Sequence, residues 1–428
     1  MEAKLNPMKS FHHIMQNRAL AAATFSFVVA QSLCGTLADA DWPQWRGPSR
    51  NGHSPDTGLM VSWPEGGPKQ LWIYKNAGKG YAGPAISQGA LYTMGTQGEK
   101  STLISLDANT GKERWTTEIG DILGNGWGDG PRGTPSVDGD RVYAMNGGGH
   151  LVCASTQDGS ILWHKSMSEF GGKTPNWGYT ESVVVDGDKI LATPGGEKGT
   201  VIALNKETGS LIWQSSDITD NAHYSTMVPA NIQGQWQYVQ RTEKSIFGIH
   251  AENGSVLWKT DFPGRTAVIP TPIVFGNRVY VTAGYGTGCK AVEINEKMEV
   301  KELYSNRLMK NHHGGAIQVG GHVFGYSDGV GWLCQDLESG EEVWSEKRAL
   351  GKGAIGMADG KLICVDEGSG KVMLIDASTE GFKEHGSFTL DPQSEIRASR
   401  GKIWTHPVVI NGKLYLRDQD LVYCYQVQ

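Results

Sequence analysis

Six residues stand out by type and by spacing: Arg132, Trp177, His313, Lys352, Trp404 and His406. Each falls in a stretch between apolar runs, where a chain leaves one strand and has not begun the next. A guanidinium, an ammonium and imidazoles gathered in one place attract an anion, and indole faces offer stacking surfaces. These residues predict recognition of an anionic ligand. The competing account is a solvated funnel whose charges hold nothing specific. No catalytic residue is assigned, and no Gly-x-Ser-x-Gly elbow occurs. His312-His313 resembles a metal pair, but neighbours on an extended segment point to opposite sides, and no Asp or Glu sits beside them in sequence. No metal set is predicted. The Gly-rich stretches at 146–150 and 195–199 read as hairpin loops, because a phosphate cradle opens a helix and no helical pattern is near.

The elements that must position these residues are legible as a repeat. A turn glycine stands four residues before a Trp in Gly111 to Trp115, Gly159 to Trp163, Gly209 to Trp213, Gly254 to Trp258 and Gly340 to Trp344. Decayed copies end at Tyr304 and Phe388, and Trp72 ends a strand with no turn before it. A second signature, Pro followed eight positions on by Tyr, precedes the first: Pro84 to Tyr92, Pro135 to Tyr143, Pro272 to Tyr280, Pro407 to Tyr415. Variants run from Val183, Ala230, Ala316 and Ile355. Between them stand Asp-Gly and Asn-Gly pairs that favour two-residue hairpins. Each unit therefore reads as a four-stranded antiparallel meander of about 40–50 residues, the length of a propeller blade. Eight hairpins are counted. The first outer strand, residues 70–75, has no hairpin upstream, and the last hairpin, from Pro407, has no outer strand downstream. The two fragments complete one blade. The predicted fold is all-β: an eight-bladed β-propeller of four-stranded antiparallel blades over residues 70–428, its ring closed by N- and C-terminal strands in one blade.

Alignment on the Pro-to-Tyr spacing places Tyr81, Arg132, Thr180, Met227, Ile269, His313, Lys352 and Trp404 in one column, three residues before the Pro position. His406 directly precedes Pro407. This column is predicted to face the mouth of the central channel. The Trp residues that end outer strands are predicted to fill wedges between blades and to take no part in a site.

The N-terminus reads as an export signal: Lys4, Lys9 and Arg18, an uncharged run over 19–33, then Ala38-Asp39-Ala40. The run is about 15 residues, short of the ~20 needed to span a bilayer. The expected organisation is a signal peptide over 1–40, an extension over 41–69 and the propeller, secreted or periplasmic, with no integral membrane span after cleavage. The chain has 428 residues, 58 of them Gly, and a net charge of −6. That balance argues against nucleic acid as a partner. Five cysteines follow the signal, without a C-x-x-C pair; Cys153, Cys334, Cys364 and Cys424 lie in apolar strand-like runs, so small buried core residues are the expected reading.

The segments from Leu103 to Trp115 and from Val201 to Trp213 resemble the PQQ-like repeat of eight-bladed quinoprotein-dehydrogenase-like propellers. The resemblance covers residues 70–428, and the opening Trp42 to Gly52 is similar to the start of secreted bacterial members. In size the chain is similar to secreted single-propeller proteins and to the lipoprotein component of the outer-membrane assembly machine. The resemblance implies two functions. One is a binding or scaffold module whose central face takes a protein, a polymer or a small anionic ligand. The other is an oxidoreductase acting on alcohols or sugars with PQQ and calcium. Dehydrogenases of this kind are typically longer, and many carry a disulfide between adjacent cysteines near the cofactor. This chain has no Cys-Cys pair and offers no recognisable calcium set, so the non-catalytic reading leads.

Overall fold

The computed structural model describes residues 40–428. The predicted signal peptide lies outside them except for its last residue, Ala40. Eight antiparallel sheets of four strands each make up the described residues, and no helix among these is long and apolar enough to cross a membrane. The first blade runs Ala85–Ser87, Ala90–Gln97, Lys100–Asp107 and Glu113–Asp121, ordered as in the chain. Blades two to seven repeat this plan. The eighth joins Val408–Ile410, Lys413–Asp418 and Leu421–Gln426 to Gln70–Tyr74 from the other end of the chain. The closing pair is antiparallel, with Trp72 opposite Cys424 and Ile73 opposite Tyr423. All five cysteines among the described residues are buried and unpaired.

The core is not one mass. It divides into eight apolar clusters, one at each junction between neighbouring blades. Both faces of every sheet are therefore covered, and the middle strands are nearly continuous apolar runs. The outer-strand aromatics latch one blade to the next. Trp163 lies over Gly209 in the following blade, and its indole N–H donates to Lys206 O at 2.9 Å. Trp72, Trp115, Trp213 and Trp344 donate in the same way to Ala108, Thr156, Ala251 and Ser378. Gly209 has φ +68°, and a Cβ there would meet the Trp163 ring at 2.9 Å, so both the turn and the latch require glycine. Trp258 is the exception and donates to Gln237 of its own blade at 2.6 Å. The next blade's turn is one of the decayed copies, with Met298 where the others carry glycine.

Residues 42–54 form a strap across the channel at the level of the inner strands. Trp42 makes a two-bond antiparallel bridge with Ile86 of blade one. Pro43 O accepts from Val137 N of blade two, and Arg50 donates to Val185 O of blade three. Trp45 Nε1 donates to Thr271 Oγ1 beside blade five, Arg46 to Ala316 O of blade six, and Ser54 N to Met357 O of blade seven. Further on, Met60 N donates to Val427 O of blade eight. The coil is tight: Arg46 and Arg50 have positive φ, and Gly47 lies against the Trp42 ring, where a Cβ would stand 2.8 Å from it. The motif from Trp42 to Gly52 is thus a ring-spanning tie.

Candidate functional site

The connections from outer strands to the next inner strands converge at one end of the channel, above the strap. They enclose a cavity of about 230 Å³. Five of the six residues singled out in the sequence line it: Arg132, Trp177, His313, Trp404 and His406. Trp404 stacks on His313, centroids 4.5 Å apart, and tilts against Tyr81 at 4.9 Å. His313 continues to His312 at 4.8 Å, and His312 to Tyr285 at 4.0 Å. The Arg132 guanidinium lies 4.5 Å from the Tyr81 ring and 5.9 Å from that of Trp404. Trp177 packs edge-on against Tyr224 at 5.7 Å. The strap supplies the floor, with Trp45 edge-on to His406 at 4.6 Å and Arg46 beside it.

Lys352 does not reach this cavity. Its ammonium donates to Asp328 Oδ1 at 2.8 Å and to His312 Nδ1, one layer behind His313. Met227 is also displaced, into the apolar cluster between blades three and four. In both blades the inner strand, Val228–Ile232 or Gly353–Ala358, begins two residues before the Pro-equivalent position. The chain is already in the sheet where the other blades are still turning, so the column loses its direction. The His pair needs correction too. Their rings lie against each other at a tilt rather than diverging, and carboxylates approach from other segments: Asp328 lies 3.6 Å from His312, and Glu367 lies 3.8 Å from His313.

Burial sets the charge of the site. Desolvation pushes His406 and His312 down to about 4 and His313 well below its ordinary value. At neutral pH these imidazoles are uncharged, so they meet a ligand as stacking and hydrogen-bonding groups. Desolvation lowers Arg46 to about 10, still cationic at neutral pH. Arg132, lowered for the same reason, donates to Gly128 O at 2.8 Å and has no ion-pair partner among the described residues. No Asp or Glu lines the cavity. Glu367 stands behind Trp404, where it accepts the indole N–H at 3.1 Å.

PQQ held with calcium needs oxygen ligands, carboxylates above all. This cavity wall has no carboxylate, and no group of three or more His, Cys, Asp or Glu among the described residues is arranged for a metal. The wall does not fit that pair. Sequence reasoning missed Trp45, Arg46, Tyr224 and Tyr285. The first two sit in the motif from Trp42 to Gly52, a signal it had noticed without placing. The others carry no spacing that marks them.

A family profile described as outer membrane protein assembly factor BamB matches residues 100–346, more than half of the chain. Serine/threonine-protein kinase AfsK of Streptomyces griseus is 31% identical over 161 residues, 37% of this chain but 19% of the kinase. The chain therefore spans about a fifth of that relative. Outer membrane protein assembly factor BamB of Escherichia coli is 24% identical over 324 residues, 72% of this chain and 76% of that protein. Among solved structures, BamB from Moraxella catarrhalis superposes with a TM-score of 0.59 at 14% identity, covering 84% of this chain and 97% of that one. Quinohemoprotein alcohol dehydrogenase from Comamonas testosteroni gives 0.60 at 11% identity, covering 90% and 80%. At these identities the two structures bear on the fold alone.

Proposed function

The chain belongs to the family of outer membrane protein assembly factor BamB, and from that premise we propose that it is an exported cell-envelope propeller that works by binding, through its loop-rich central mouth. The observation that carries this reading is the make-up of the mouth. It is a concave, largely aromatic surface with cationic guanidiniums and no carboxylate on its wall. The acidic groups nearby are engaged by protein partners: Asp328 by Lys352, Asp129 by Lys79 and Glu367 by Trp404. A docking surface needs rings and desolvated donors in a concave, water-poor place. The mouth has both.

The test uses a photo-crosslinking residue at Trp127, on the rim, and another at Trp236, beside a hairpin turn at the opposite end of the ring. Both indoles are exposed. In native envelopes, adducts are expected from position 127 and not from 236. Adducts from 236 alone overturn the reading. So does dye-linked alcohol oxidation by the purified chain supplied with PQQ and calcium.

A further inference from the structure

The charged hydrogen-bonding groups of the mouth cavity have one sign: guanidinium donors on its wall and no carboxylate. Five of its hydroxyls join the chain to itself. Thr405 Oγ1 donates to Tyr81 O at 3.0 Å, and Thr180 Oγ1 to Tyr224 O at 2.9 Å. Ser182 Oγ accepts from Thr134 N, Thr226 Oγ1 from Ser182 N, and Thr271 Oγ1 from Trp45 Nε1. No carboxylate lines the wall. Its two cations are arginines, which can only donate. Arg132 has a single protein acceptor. Arg46 is only 6% exposed, and its Nε has no partner.

Such a lining discriminates between ligand classes. It is a poor host for a cation, because Arg132 already occupies the face of Tyr81. It suits a flat apolar ring with a head group that only accepts. We propose that the cavity binds an aromatic carboxylate, its ring against the indole walls at Trp177 and Trp404 and its carboxylate on Arg132. Arg46, brought in by the N-terminal strap, makes the floor positive, so the strap is part of the site. The ligand is held by guanidiniums and needs no metal. This inference rests on the mouth being a ligand-binding surface.

The probe is 2-naphthoate, titrated into the purified full chain and followed by indole fluorescence and calorimetry. The neutral isostere 2-naphthylmethanol and the acidic sugar glucuronate are run beside it. Saturable one-to-one binding of naphthoate is expected, at least tenfold tighter than either comparison. Arg132→Gln is expected to weaken it at least tenfold, and Trp404→Leu to weaken it as well. Equal binding of acid and alcohol overturns the proposal, as does tighter binding of glucuronate or full retention in a folded Arg132→Gln protein. The acid–alcohol comparison on the unaltered chain decides the matter even where a variant folds poorly. The two readings fail separately. Crosslinks at position 127 without naphthoate binding reject the aromatic acid and leave the mouth as the working surface. Naphthoate binding with crosslinks only at 236 keeps the site and removes the mouth as the partner surface.

Discussion

Glu181 shows how a single buried group sets a pH dependence. It sits between Thr180 and Ser182 of the mouth, only 3% exposed, and accepts from Thr193 N. Its other oxygen lies 3.5 Å from Gln240 Nε2 in the next blade. Burial pushes its carboxyl up to about 7 from an ordinary 4.5. A folded-state pKa above the unfolded value favours the folded chain below pH 4.5, and that contribution is lost as pH rises through 7. The loss is about 3 kcal/mol by the usual conversion. Desolvation moves His312, His313 and His406 the other way. Their contribution is present above pH 6.5 and disappears as pH falls through their lowered values. The two slopes oppose each other between pH 4.5 and 6.5. Glu181→Gln should therefore raise stability relative to the wild type as pH increases from 4.5 to 8, leaving a urea midpoint that only climbs with pH. A parallel shift at every pH would show that Glu181 is already ionised at pH 5. None of this was legible in the sequence, where Glu181 is one carboxylate among many. The placement of Arg132, His313, Trp404 and His406 at the mouth was legible, because positions at a set spacing before a repeated strand converge, and that of Trp177 because it lies in one of the connecting loops.

The working unit among the elements is the latch, an outer-strand aromatic seated on the next blade's turn glycine. Trp163→Ala removes a largely buried ring together with its hydrogen bond to Lys206 O. It is expected to cost about 3 kcal/mol in urea unfolding. Gly209→Ala keeps the ring but places a methyl group against it at positive φ. Its expected cost is smaller, about 1–2 kcal/mol. A loss from Gly209→Ala as small as that from a substitution at the neighbouring exposed Ser210 would show that the turn relaxes freely. The latch was readable because it repeats with fixed spacing. Lys352 and Met227 were misplaced for the converse reason. Column counting assumes every inner strand begins at the same point, and two blades start theirs early.

At the scale of the whole molecule, closure is made twice, once by Gln70–Tyr74 in the eighth blade and once by the strap. A chain lacking residues 41–54 should keep its eight blades, melt at lower temperature and lose the floor of the mouth. A chain lacking 41–75 should also expose the edge of Leu421–Gln426 and elute as associated species on size exclusion, since an open strand edge templates further pairing. A monomer with an unchanged melting curve would refute both expectations. The sequence by itself determined the blade count, the order of strands and the joining of the two chain ends, because turn glycines, latch aromatics and hairpin pairs are local features that recur at set intervals. Only the tertiary structure decided where the strap lies and which cations face the cavity. It also decided that the mouth histidines are neutral. Those facts depend on which non-repeating segments meet across the channel and on how much water the meeting excludes, and no spacing along the chain encodes either.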